Sequence, residues 1–160
     1  ASGGGFAPDS DARKQLLAYD GSDESMRGIL DGLFFNKTNW VDNPDYIARR
    51  QEFAKLPGAW ECTAAARFKA PFIESKGQFG QPDATPYEDI EVPVLLIAGG
   101  QDPLRMPGYA PEIATRMPDS EVHVYEDSGH CPHIEKSFEF NAMAIKFLRK
   151  VHARLGVEAV

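Results

Sequence analysis

Asp102 and His130 are the two residues of this 160-residue chain whose types and spacing point most directly to acid–base chemistry. Each stands in a loop just after a run of strand type. Residues 92–98, Val-Pro-Val-Leu-Leu-Ile-Ala, are unbroken apolar and end in Gly99-Gly100, so that Asp102 follows in Gly-Gln-Asp-Pro. Residues 121–125, Glu-Val-His-Val-Tyr, alternate and run into Asp127-Ser128-Gly129-His130. A parallel sheet sets the ends of such strands side by side on one edge, where ligands and catalytic groups gather. A carboxylate at Asp102 would there reach an imidazole at His130. That is two thirds of a serine–histidine–aspartate system, with the acid before the histidine. Gly-Gln-Asp-Pro is also good turn chemistry, and the matching histidine loop is what favours the catalytic reading.

The nucleophile is missing from this pattern. A reactive serine needs a sharp strand-to-helix turn lined by small residues, G-x-S-x-G, and none of the eight serines has that setting. Ser128 lies on the histidine's own loop, and Ser2 precedes Gly3-Gly4-Gly5 without a strand before it. Cys62 and Cys131 are the remaining thiol candidates. Cys131 follows His130 directly, and neighbours on an extended loop point in different directions.

Other chemistry-bearing residues have plainer uses. His123 lies within a strand and reads as a packed or edge side chain, and His133 is near enough to line the same site. His152 sits near a helix end, where partial positive charge suits the dipole. Asp127, His130, His133 and Glu135 are metal-ligand types, but their spacing matches no H-E-x-x-H helix, so no metal is expected. Arg49 and Arg50 project about 100° apart on a helix, and either guanidinium could clamp a carboxylate through two parallel hydrogen bonds or lie on a solvated face. Phe34, Phe35, Trp40 and Trp60 could wall a pocket or pack a helical core.

Composition narrows the class. A hydrophobic content of 42% with 26% charged residues is that of a globular domain. The net charge of -7 argues against a nucleic-acid partner, which requires a basic surface. Two distant cysteines make neither a disulfide framework nor a metal cluster and fit a cytoplasmic setting. No apolar run approaches a membrane span, and the start lacks the basic-then-apolar pattern of a signal peptide.

Three parts are expected: residues 1–8 as the loop after an absent core strand, 9–75 as a helical region, and 76–160 as α/β core. Asp9-Ser10-Asp11 caps a helix over 12–19, and Ser22-Asp23-Glu24-Ser25 caps one over 26–35. Met26, Ile29, Leu30, Leu33 and Phe34 form its apolar stripe. Asn43-Pro44-Asp45 begins a third helix with Tyr46, Ile47 and Phe53 for packing. Pro57-Gly58 breaks it, and 59–70 resumes as a short helix. Residues 71–91 are a loop-rich join. Helices over 109–117 and 138–153 alternate with the two strands, the last with Phe140, Met143, Ala144, Phe147, Leu148 and Val151 inward. A β-α-β-α tail of this kind ends a doubly wound sheet.

These residues resemble a family. Residues 92–103, 120–130 and Ile-Glu-Lys-Ser-Phe-Glu-Phe-Asn at 134–141 are similar to the last two strands and helix of α/β-hydrolases. Gly3-Gly4-Gly5-Phe6-Ala7-Pro8-Asp9, the helix ending Phe34-Phe35-Asn36, and Pro44-Asp45-Tyr46-Ile47-Ala48-Arg49-Arg50 with Pro57 beyond are similar to the lid of the meta-cleavage product hydrolases. The resemblance implies a helical lid on the C-terminal part of the core, with the serine on a companion chain or missing N-terminal segment. It implies hydrolysis of a carbon–carbon bond in a 2-hydroxy-6-oxo-dienoate, with Asp102 as triad acid and His130 as triad base. Arg50 would bind the polar end of the substrate, and Cys131 takes the place where the family usually has tryptophan. No cofactor is implied, and the assembled hydrolase could be a homo-oligomer. An esterase, lactonase or thioesterase with the same triad is the alternative. A non-catalytic small-molecule binding protein of the same fold is a second.

Overall fold

The structure is a computed structural model that describes residues 5–59, 62 and 82–156. Local chemistry starts each helix of the first region. The Ser10 side chain accepts from the Arg13 amide ahead of α1 (Asp11–Leu17), and the Ser22 hydroxyl accepts from the Ser25 amide at 3.1 Å ahead of α2 (Asp23–Asp31). Asn43 accepts from the Asp45 and Tyr46 amides and Pro44 opens α3 (Pro44–Ala54). These are the orphan donors of a first helical turn, satisfied by a short oxygen-bearing side chain.

α2 stops at Asp31 rather than continuing to residue 35, with Gly32 as its C-cap. Lys37 Nζ reaches back to the Asp31 and Phe34 carbonyls at 2.8 and 2.9 Å, partners that carbonyls at a helix end lack. Asn36 then accepts from the Asn39 amide and starts a single π turn over Lys37–Val41, which the sequence reading did not anticipate. Met26, Leu30, Phe34, Val41 and Ile47 form a closed apolar cluster, flanked by Tyr19, Leu33, Trp40 and Tyr46. Phe53 does not join it and is exposed. Ile47 and Gln51 are four apart and share the inner face, whereas Phe53 lies about 200° round from Gln51. The buried Gln51 amide is satisfied instead, accepting from the Tyr19 hydroxyl and donating to the Gly21 carbonyl and the Asp23 carboxylate. The helix expected over 59–70 lies largely outside the described residues.

A 3₁₀ turn (Tyr87–Asp89) leads into β1 (Val94–Gly99), which pairs in parallel with β2 (Ser120–Tyr125) from Val94↔Ser120 to Gly99↔Tyr125. The crossover helix α4 (Tyr109–Ala114) places Tyr109, Ala110 and Ile113 against Tyr87 and Ala98, a second cluster. After β2 come a one-turn helix, α5 (Pro132–Glu135), also unanticipated, and the 19-residue α6 (Ser137–Leu155). Val92 precedes the strand and is exposed. Phe140, Met143, Ala144, Phe147 and Val151 on α6 are half-buried, but Leu148, expected inward, is 58% exposed. Among the described residues, no helix is long and apolar enough to cross a membrane.

Candidate active site

A glycine pair at the end of β1 and a single glycine after β2 let the two loops meet. A Cβ on Gly99 would lie 1.9 Å from the Gly129 carbonyl oxygen and 2.5 Å from that of Ser128. One on Gly129 would lie 2.7 Å from the Leu33 carbonyl oxygen. Only glycine permits backbones this close. The gain is hydrogen bonding between the loops: the Gly100 amide donates to the Tyr125 carbonyl (2.8 Å) and the Gln101 amide to the Ser128 carbonyl (3.0 Å). The His130 amide donates to the Leu33 carbonyl at 2.8 Å, which docks the histidine loop on the segment after α2.

Asp102 and His130 meet at this junction. Asp102 Oδ2 lies 2.8 Å from His130 Nδ1, and Oδ1 accepts from the Leu104 amide at 2.8 Å. The Asp102 side chain is 5% exposed and that of His130 18%. A carboxylate only accepts, so Nδ1 donates and Nε2 is left as the basic nitrogen. Arg13 on α1 steadies the acid loop from outside, donating from its guanidinium to the Leu104 carbonyl at 2.6 Å and from Nε to the Pro8 carbonyl at 2.8 Å. Such a pair can hold an imidazole in one tautomer and stabilise the imidazolium form when it takes a proton. Among the described residues, no serine hydroxyl hydrogen-bonds to His130. Ser128 is fully buried, and its Oγ donates to Glu135.

Cys131 packs against the helical cluster. Burial pushes its thiol up to about 11, the Glu135 carboxylate adds to the shift, and Arg50 opposes it. A thiol protonated at neutral pH is a poor nucleophile. Arg50 is exposed on α3, yet its charge bears on both the Tyr46 hydroxyl and the Cys131 thiol, so it lies on the histidine side of that helix. Burial lowers the pKa of His133, whose ring lies 6.0 Å from Phe140, and proximity to His130 adds to that shift. His123 is exposed on β2, edge-on to Tyr125, and His152 is exposed on α6. Phe34, Trp40 and Tyr46 interlock with ring centroids 4.9–5.8 Å apart. These rings pack the core, while Phe35 is exposed and Trp60 lies outside the described residues. Among the described residues, no group of three potential ligands could hold a metal ion.

The residue that sequence reasoning undervalued is Glu135, given no role there beyond that of a metal-ligand type. Its Oε1 accepts from the Gly129 amide (2.6 Å) and the Ser128 hydroxyl (3.2 Å). Its Oε2 accepts from the amides of Phe35 (3.0 Å) and Asn36 (2.9 Å). The signal available was a carboxylate a few residues beyond a Gly-His pair, after a proline able to open a helical turn.

A model described as the alpha/beta hydrolase family matches residues 2–143. The chain belongs to the α/β hydrolase family. Solved structures of the family agree on the fold. The meta-cleavage product hydrolase of Pseudomonas fluorescens is 20% identical with a TM-score of 0.73, over 92% of this chain and 53% of that one. A thermophilic esterase of Thermogutta terrifontis is 22% identical with a TM-score of 0.62, over 92% and 54%. The 2-hydroxy-6-oxo-6-phenylhexa-2,4-dienoate hydrolase of a Rhodococcus species is 16% identical with a TM-score of 0.63, over 92% and 52%. This α/β hydrolase chain thus spans about half the length of the structures it matches, and the two-stranded sheet is part of the doubly wound sheet of that fold.

Proposed function

We propose that this chain contributes the acid and the base of a Ser-His-Asp hydrolase whose serine lies on a segment outside these 160 residues. The observation that carries the reading is the 2.8 Å contact from His130 Nδ1 to Asp102 Oδ2 across the ends of adjacent parallel strands. In the proposed cycle Nε2 takes the proton of the incoming nucleophile, Asp102 stabilises the imidazolium, and the proton then passes to the leaving group. The oxyanion donors and the nucleophile would come mainly from the same outside segment, a companion chain or a preceding stretch. The half-length match to the family's solved structures supports that division.

For the substrate we propose a 2-hydroxy-6-oxo-dienoate-like ring-cleavage product, split at a carbon–carbon bond. His130 would assist ketonisation of the dienol, which creates the electron sink beside the bond to be broken. Arg50, on the histidine side of α3, would hold the carboxylate end through its guanidinium. Ester hydrolysis is the second reading, favoured by Cys131, which stands where the dienoate hydrolases usually have tryptophan.

The test is turnover by the assembled hydrolase, this chain together with the serine-bearing segment. Asp102→Asn is expected to lower kcat roughly 10⁴-fold and His130→Ala at least as much. Arg50→Ala should raise KM for the dienoate with less effect on a neutral aryl ester. Full turnover by the Asp102 and His130 variants would sink the catalytic reading. Faster turnover of the ester than of the dienoate would move the proposal to the second reading.

A further inference from the structure

The carboxylate of Glu135 joins two parts of the molecule that are far apart in sequence. Oε1 takes donors from the histidine loop, at Ser128 and Gly129, and Oε2 takes donors from the exit of α2, at Phe35 and Asn36. Asn36 is also the cap that starts the π turn carrying Trp40 and Val41, so the second oxygen holds the chain where α2 gives way to that turn. The first holds the residue just before His130. Four donors around one carboxylate, two of them amides nearly 100 residues away, form a clamp that a shorter or neutral side chain cannot reproduce.

We infer that Glu135 is a positioning residue, fixing the His130 ring in line with Asp102 and tying that alignment to the chain at the exit of α2. The inference rests on the reading of Asp102 and His130 as an acid–base pair. The mechanism is geometric. His130 is anchored through its amide to Leu33 and through Nδ1 to Asp102, but its loop closes only where Gly129 is drawn against residues 33–36. Without the Glu135 carboxylate, the amides of Gly129, Phe35 and Asn36 lose their shared acceptor and the loop is free to separate from residues 33–36. A small misplacement of a catalytic group costs rate rather than binding.

Glu135→Ala, Glu135→Gln and Glu135→Asp in the assembled hydrolase test this with two readouts. The first is the far-downfield proton resonance of a histidine N–H held by a carboxylate. The second is the division of any activity loss between kcat and KM. Glu135→Ala should abolish or broaden the His130 resonance and lower kcat roughly 100-fold with little change in KM. Glu135→Gln, whose amide nitrogen cannot accept, keeps one side of the clamp and should fall between alanine and wild type. Glu135→Asp should restore part of both signals. An unchanged resonance and unchanged kcat in both the Ala and Gln variants would overturn the proposal, even if both melt at lower temperature. Should the alanine variant fail to fold, the glutamine variant decides on the same criteria. Failure of the catalytic reading looks different: Asp102→Asn would then leave turnover intact while Glu135→Ala still disturbed the resonance.

Discussion

The helical region and the sheet have comparable shares of apolar residues but bury them very differently. In the helical region Leu30 is fully buried, and Met26, Phe34, Val41 and Ile47 close around it. The sheet region packs α4 well on one side, yet Val94 to Ile97 in β1 remain half-buried and none of the 19 residues of α6 is buried. Phe138 is 88% exposed. A layer of a doubly wound sheet hides its apolar faces only when its neighbours are in place, whereas a small helix cluster can close on itself. The histidine loop lies where the two meet. Cys131 and Ile134, on either side of Pro132, pack against the helical cluster, so the better-packed region holds the histidine of the pair.

The contrast can be broken most severely at Gly99. Gly99→Ala places a Cβ inside the approach of the two loops and should cost more than about 4 kcal/mol, with loss of the Asp102–His130 contact. Gly21→Ala has no neighbour within 4 Å and strains only its φ of +89°, so it should cost about 1 kcal/mol. Urea unfolding with NMR of the histidine region compares the two. Next comes the core itself. Leu30→Ala should destabilise by about 3–5 kcal/mol, and Phe147→Ala on α6 by less than about 2 kcal/mol. If Phe147 proved as costly as Leu30, the sheet would be as well packed in solution as the helices, and the comparison would fail.

The smallest effect sharpens the boundary between the regions. With its thiol pushed up to about 11, Cys131 is protonated at neutral pH and forms thiolate only in strong alkali. Alkylation should therefore spare it near pH 7, while exposed Cys62 reacts, and its rate should climb toward pH 11. Arg50 opposes the shift, so Arg50→Ala should raise the thiol's pKa further and slow labelling at any intermediate pH. Rapid modification of Cys131 at pH 7, read by peptide mass, would mean that the helical cluster does not cover the histidine loop.

Much of the framework could be read in the order of residues, because it depends on near neighbours. Ser10, Ser22 and Asn43 cap helices by reaching amides two or three residues ahead. The apolar run ending at Gly99 and the alternating run ending at Tyr125 made two strands, and their parallel pairing brought Asp102 to His130. Phe53 and Leu148 were misplaced for a different reason: their facing depends on which side of a helix finds cover, and Gln51 took an inner position because Tyr19, Gly21 and Asp23 could satisfy it.

What the sequence determined by itself was the α/β class, the order of helices then paired strands and the candidates Asp102 and His130, since each rests on local propensity and strand periodicity. Tertiary structure alone decided the Glu135 clamp and the protonated state of Cys131. The clamp depends on backbone amides about 100 residues from the carboxylate, and the thiol's protonation on burial against the helical cluster, so distance in space, not order along the chain, sets the energy.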